Sequence, residues 1–390
     1  MNVLFVCTRL PVPPWRGDQV RAFHHLRVLA PRHRITVMAL VPRSPAAAVR
    51  AEVERLGVRL VVLPLGVAGA GLGLARALVD PRPLQVLLYV RRRVRARLAA
   101  LMAHGGFDVV HAQLVRTADY LPGPEGPPVV VDLIDALSEN LARRARLERG
   151  LLGPVVAWEA RRLGRFEREL ATRVAACLVV SEAERAAIGV PTVRVVPNGV
   201  DVEGLPYVDE GREPGRILFA GNLGYFPNVD AACWLAHEVF PRIRAAVPTA
   251  ELRLVGARPA RAVRALAGAA GVTVVGAVPA MAPELWRAAV ALAPMRAGSG
   301  VQNKVLEAMA AGLPVVTTPG PAGAIGARPG EHLSVAADAA GLAAATVAVL
   351  CDPARGRGMA RAARRLVERE WRWESSARGV EVAWEAARGG

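Results

Sequence analysis

The chain has 390 residues, 53% of them hydrophobic and 22% charged, which suits two domains of roughly 150–200 residues and excludes an intrinsically disordered chain. Aromatics at only 5%, beside 37 glycines and 30 prolines, argue against a coiled coil or a long helical bundle. The formal net charge is +16, and the four cysteines, at 7, 177, 233 and 351, form no C-x-x-C pair, so neither a disulfide framework nor a structural zinc site is expected.

The opening MNVLFVCTRLPVPP has no basic stretch ahead of its apolar run, and it reads as a first strand rather than a secretion signal. A cytoplasmic protein is the expectation. Strands are predicted at 3–7, 35–40, 58–63, 109–111, 129–132, 177–180 and 193–196. Helices fall between them near 18–30, 46–56, 84–104, 138–176 (broken at 150–154) and 182–187. The uncharged stretch 60–75 contains Pro64 and four glycines and is shorter than the ~20 residues of a membrane span. A second series follows, with strands at 217–220, 252–255, 272–275, 289–294 and 315–318 and helices near 228–246, 259–270, 283–288 and 302–311. Unbroken apolar strands alternating with helices mean parallel sheets covered on both faces. The join is PNGVDVEGLPYVDEGREPG, rich in Gly, Pro and acid. The class is therefore α/β, with two doubly wound domains and a ligand cleft between them. The expected division is 1–200, 201–365, and C-terminal helices at 366–390 that pack back on the first domain.

Charge is unevenly placed. Residues 1–205 hold 29 basic and 18 acidic residues, a net of +11, while residues 206–390 hold 21 and 16, a net of +5. Arg91, Arg92, Arg93, Arg95 and Arg97 are interleaved with apolar residues such as Val90, Val94, Leu98 and Leu101, as in a basic amphipathic helix. Such a helix suits an anionic bilayer at the inner face of a cell membrane, or plain solvent. Aromatics are too scarce, and binding motifs too absent, to suggest nucleic acid.

Motifs narrow the chemistry. The turn after the first strand, TRLPVPPWRGD, is not a G-x-G-x-x-G fingerprint, and no P-loop, G-x-S-x-G or D-x-D occurs. Of the 50 basic residues, 49 are arginine and one is lysine, Lys304. Around it the sequence reads PMRAGSGVQNKVLEAMAAGLPVVTT: a strand, a glycine loop (Gly298, Ser299, Gly300), and a helix from about Gln302. Free amides at a helix start, with the helix dipole behind them, make an anion site that Lys304 can reach. Glu307 shares its face and could accept from the two vicinal hydroxyls of a ribose. The plainer reading of the same residues is a Lys–Glu surface pair. His111 ends the strand FDVVHAQ at the carboxyl edge of the sheet, where ligands bind. Asp132 and Asp135 end the next strand, either for acceptor hydroxyls or to cap the helix at 138.

KVLEAMAAGLPVVTT closely resembles the donor-nucleotide motif of the group 1 (family 4) glycosyltransferases, which have the GT-B fold of two facing Rossmann-like domains. ILFAGNLGYFPNVDAA, VVPNGVD and PPWRGDQVRAFHHLRVLA support it; the last looks most like sugar transferases of exopolysaccharide and exosortase loci. The resemblance covers nearly the whole chain. It implies retaining transfer of a sugar from a nucleoside diphosphate sugar to a polysaccharide or lipid-linked acceptor, with no metal and no cofactor beyond the donor. It assigns Glu307 to the ribose, and Lys304 with the 298–300 loop to the phosphates, with Arg296 as a second cation. Gly221 and Asn222 are implied on the donor side, and Gly17, Asp18, Asp132 and Asp135 on the acceptor side. His111 is the implied sugar-contacting residue. Gly17–Asp18 equally reads as a simple N-cap. The sequence departs from the family pattern in three places: Ser299 replaces an acid, Gln113 replaces the second His of His-x-His, and residues 222–228 carry no Arg or Lys. A nucleotide-sugar 2-epimerase of the same fold and a non-catalytic basic surface-binding protein are the alternative readings.

Overall fold

The computed structural model describes residues 1–66, 80–147, 150, 152–296 and 301–389. The chain divides into two units, Met1–Pro197 together with Trp373–Gly390, and Asn198–Arg372.

The first unit is built on seven parallel strands: β1 (Asn2–Cys7), β2 (Arg34–Val41), β3 (Arg59–Pro64), β4 (Val109–Gln113), β5 (Val129–Ile134), β6 (Ala176–Val179) and β7 (Val193–Val195). Their order is β3-β2-β1-β4-β5-β6-β7, that of a doubly wound sheet. Alternation along β1 explains its unbroken apolar run. Val3, Phe5 and Cys7 face one core with the helices Gly17–Leu29 and Trp373–Gly389, while Leu4 and Val6 face the other with Arg92–Gly105 and Leu152–Arg173.

The second unit has six parallel strands: β8 (Arg216–Ala220), β9 (Glu251–Val255), β10 (Val272–Gly276), β11 (Val290–Ala293), β12 (Val315–Thr317) and β13 (Ser334–Val335), in the order β10-β9-β8-β11-β12-β13. Ile217 and Phe219 turn to one face of β8, and Leu218 and Ala220 to the other, where the helix Asn303–Ala310 contributes Val305, Leu306 and Met309.

Three expectations shift. The units join at Pro197–Asn198 rather than 200–201, because the amide of Val200 donates to the carbonyl of Trp371 at 2.7 Å and ties the start of the second unit to its end. The return to the first unit begins at Trp373 rather than 366, since Leu366 and Val367 of the helix Pro353–Glu370 are buried with Val305 and Met309 in the second unit. Ala377, Val380, Ala383 and Trp384, at helical spacing, are what the last helix buries in the first unit. Finally, the helix expected over 84–104 is two, Leu84–Leu87 and Arg92–Gly105; at the break the Arg91 amide donates to the Tyr120 hydroxyl at 3.0 Å. Among the described residues no helix is long and apolar enough to cross a membrane.

Candidate functional site

The second unit assembles its site from the carboxyl ends of β8, β9 and β11. After β8 the chain turns at Gly221, and after β9 at Gly256, with φ of +150° and +155°. A Cβ on Gly256 would lie 1.6 Å from the Gly221 carbonyl oxygen, so only glycine allows the two strand ends to touch. A Cβ on Gly221 would lie 3.2 Å from Cε of Lys304, so the missing side chain leaves room for the lysine stem.

Asn222 does not reach toward a ligand. Its Oδ1 accepts from the Gly224 amide at 3.1 Å, and its carbonyl accepts from Asn228 Nδ2 at 3.0 Å. That second bond orients Asn228, which is buried, so that its Oδ1 faces Lys304. Lys304 donates to Asn228 Oδ1 at 2.5 Å and lies within 3.4 Å of Met295 Sδ and 3.5 Å of Gln302 Oε1, with its ammonium 5.3 Å from the centre of the Phe219 ring. All of these groups are neutral, and among the described residues no carboxylate pairs with it. Burial pushes the ammonium down to about 7 against the attraction of Glu307. Burial likewise pushes the Glu307 carboxyl up to about 7, against Lys304. The side-chain carboxylate of Glu307, three residues on, accepts no hydrogen bond from a described residue. The helix carrying both opens at Gln302 without a side-chain cap. The glycine loop at Gly298, Ser299 and Gly300 lies outside the described residues.

Arg296 is not a spare cation. It forms a two-point ion pair with Asp230, at 2.6 and 3.1 Å, and stacks 4.8 Å over Trp234, so its charge is already met. The first basic residue after β9 is Arg258. Exposed and at φ +55°, it follows β9 in a turn whose Ala257 carbonyl accepts from the Leu223 amide at 3.0 Å.

The first-unit candidates are placed differently. His111 is fully buried, stacked on Phe5 with centroids 4.6 Å apart, and its Nδ1 accepts from Trp384 Nε1 at 3.1 Å. That bond leaves the ring proton on Nε2, which faces Asp132 Oδ2 at 3.8 Å; burial pushes the imidazole down to about 4, so it is neutral. In this placement His111 is a core residue rather than a sugar contact. Asp132 is neither a helix cap nor open to acceptor hydroxyls. It is fully buried and accepts from Arg21 Nε at 2.7 Å. Asp135 is half-buried and hydrogen-bonded to Glu184; burial raises both carboxyls, Glu184 to about 8, so the pair holds a proton at neutral pH. Asp18 does not cap its helix: the N-cap is Arg16, and the Asp18 carboxylate pairs with Arg9 at 2.5 Å. Gln113 donates to the Asp18 carbonyl at 3.0 Å and ties the end of β4 to that helix. Gly17 is exposed, with nothing within 4 Å of where a Cβ would stand.

Two parallel-sheet Rossmann-like units are the architecture of the GT-B fold. Residues 214–352 match the model of the family "Glycosyl transferases group 1". Sucrose-phosphate synthase from Thermosynechococcus elongatus has the same fold, at 16% identity and TM-score 0.73, with 98% of each chain covered. HepE of Anabaena, solved with UDP-glucose, aligns at 14% identity and TM-score 0.67 over 98% of this chain and 99% of its own. WaaG, a glycosyltransferase involved in lipopolysaccharide biosynthesis, aligns at 16% identity and TM-score 0.65 over 97% and 99%. A search of curated proteins found no match.

Proposed function

We propose that the chain transfers a sugar from a nucleoside diphosphate sugar to a saccharide or lipid-linked acceptor, with retention at the anomeric carbon and without a divalent metal. The observation that carries this reading is Lys304: a half-buried ammonium with only neutral described partners, at a helix start without a side-chain cap, one turn from the Glu307 carboxylate, which has no hydrogen-bond donor among the described residues. A diphosphate supplies the counter-charge, and the vicinal hydroxyls of a ribose donate to Glu307. The complex of HepE with UDP-glucose supports a donor of this kind. When the anomeric C–O bond breaks, its electron pair passes to the diphosphate oxygen, where Lys304 and the helix start stabilise the charge. The acceptor oxygen bonds to the anomeric carbon on the face the diphosphate leaves, and its hydroxyl proton passes to the departing diphosphate oxygen. Incubation with UDP- and GDP-sugars and candidate acceptors tests this, with the product anomer read by NMR. Retained configuration is expected, and an inverted product would contradict it.

Two further results are expected. Because Lys304 does the work of a metal, EDTA should leave the rate unchanged; abolition by EDTA with rescue by magnesium or manganese would count against the reading. The second result concerns pH. With both groups near 7, the free site holds LysH⁺ and GluH below that pH and Lys⁰ and Glu⁻ above it. The donor binds the LysH⁺–Glu⁻ form, so binding releases a proton below pH 7 and takes one up above it. Affinity should therefore peak near pH 7. Calorimetry of nucleotide-sugar binding in buffers of different ionisation enthalpy would show the sign change; a flat profile from pH 6 to 8 would refute the coupling.

A further inference from the structure

A second feature of the first unit has no part in the sugar chemistry. The helices Leu137–Leu147 and Leu152–Arg173 pack as a hairpin. Between them runs a groove of about 950 Å³, floored by Ala142, Ala145, Gly153, Ala157, Ala160 and Gly164. Small side chains on both helices leave that space unfilled. Arg146, Arg161, Arg165 and Arg168 stand on its rim, all exposed and none paired with a described carboxylate.

The exposed residues of the second helix are ordered along its length. Its first two turns show Leu152, Val155 and Trp158, exposed by 60%, 57% and 46%. The next three turns show Arg161, Arg165 and Arg168, within ~60° of one another around the helix; Trp158 adjoins them, and Leu152 lies on the opposite side. At 1.5 Å per residue, Val155 and Arg165 are ~15 Å apart along the axis. Trp158 is held in place: the buried Arg162 guanidinium lies 4.2 Å from its ring centre and is itself fixed by the Asp80 carbonyl at 2.5 Å.

We propose that this hairpin docks on an anionic phospholipid bilayer, with Leu152, Val155 and Trp158 in the hydrocarbon boundary, the four arginines among the phosphates, and a lipid chain in the groove. An apolar end followed by a basic band matches the depth profile of a membrane interface, where Trp and cationic side chains are at home. An acidic protein would satisfy the arginines but leaves the exposed apolar end without a role. The basic run at 91–97 is a poorer anchor. Val94 and Leu98 are buried in the core, Arg91 is spent on the carbonyls of Leu65, Leu88 and Val90, and Arg95 pairs with Asp119.

Flotation of the full chain with vesicles of phosphatidylcholine, alone or mixed equally with phosphatidylglycerol, tests the assignment. Recovery with the mixed vesicles only, weakened by salt, is expected. The triple variant Arg161→Gln, Arg165→Gln, Arg168→Gln should lose on the order of 100-fold in partitioning, three surface cations together. Trp158→Ser should lose on the order of tenfold. Both variants change exposed side chains, and thermal unfolding at the wild-type temperature would verify that they fold. Arg92→Gln, Arg93→Gln, Arg97→Gln should float as the wild type does. Equal recovery with both vesicle types, no recovery with either, or loss of flotation only in the 92–97 variant would overturn the proposal.

Discussion

Replacing Lys304 by alanine is expected to lower turnover by ~10²–10³-fold, on the order of 2–4 kcal/mol, the range for removing one preorganised donor at a developing charge. Lys304→Arg should also lose activity although charge is kept. The ammonium sits between Asn228 Oδ1 and Met295 Sδ above the Phe219 ring, a place shaped for a compact point charge. A planar guanidinium with forked donors does not repeat those contacts. Glu307→Gln should act mainly on donor affinity, since a ribose contact is made alike in ground and transition states. If Lys304 were only a surface partner of Glu307, neither change would cost more than about 1 kcal/mol of stability, and turnover would stay intact. Near-normal turnover in Lys304→Ala would therefore end the phosphate-site assignment.

The largest stability effect is expected at Asp132. Asp132→Ala removes a fully buried carboxylate from beside the fully buried Arg21 guanidinium, 2.7 Å away, and so breaks a buried ion pair from one side. A loss of about 3–5 kcal/mol follows from breaking one side of a buried pair. It should register as a lower denaturant midpoint. The neighbouring His111, already neutral, gives no compensating charge. A loss below about 1 kcal/mol, together with an altered acceptor preference, would restore Asp132 to the acceptor side.

How far the sequence carried the reading depends on the range of the interaction. VLFVC and VALA are apolar without interruption because a parallel strand is covered on both faces, and that is visible in a window of a few residues. β13 is two residues long and shows no periodicity to read. Lys304 stood out because it is the one lysine among 49 arginines. Its setting was less legible: Asn228 lies 76 residues away, and nothing local says that its amide is turned by the Asn222 carbonyl. Arg296 looked available because Asp230 is 66 residues distant. In the first unit, Asp132 and His111 end their strands at the edge where ligands bind, and the pattern is the same whether such residues face a ligand or a core. Arg21, 111 residues before Asp132, and Trp384, 273 after His111, decide for the core.

The central claim is that Lys304 and Glu307 form a nucleoside diphosphate site, and calorimetric titration with UDP- and GDP-sugars at pH 7 tests it most directly. The wild-type chain should bind at least one of them, Lys304→Ala should weaken that binding on the order of 10–100-fold, and Glu307→Gln should weaken it too. Wild-type protein that binds neither class of donor, or a Lys304→Ala variant that binds as the wild type does, would contradict the account.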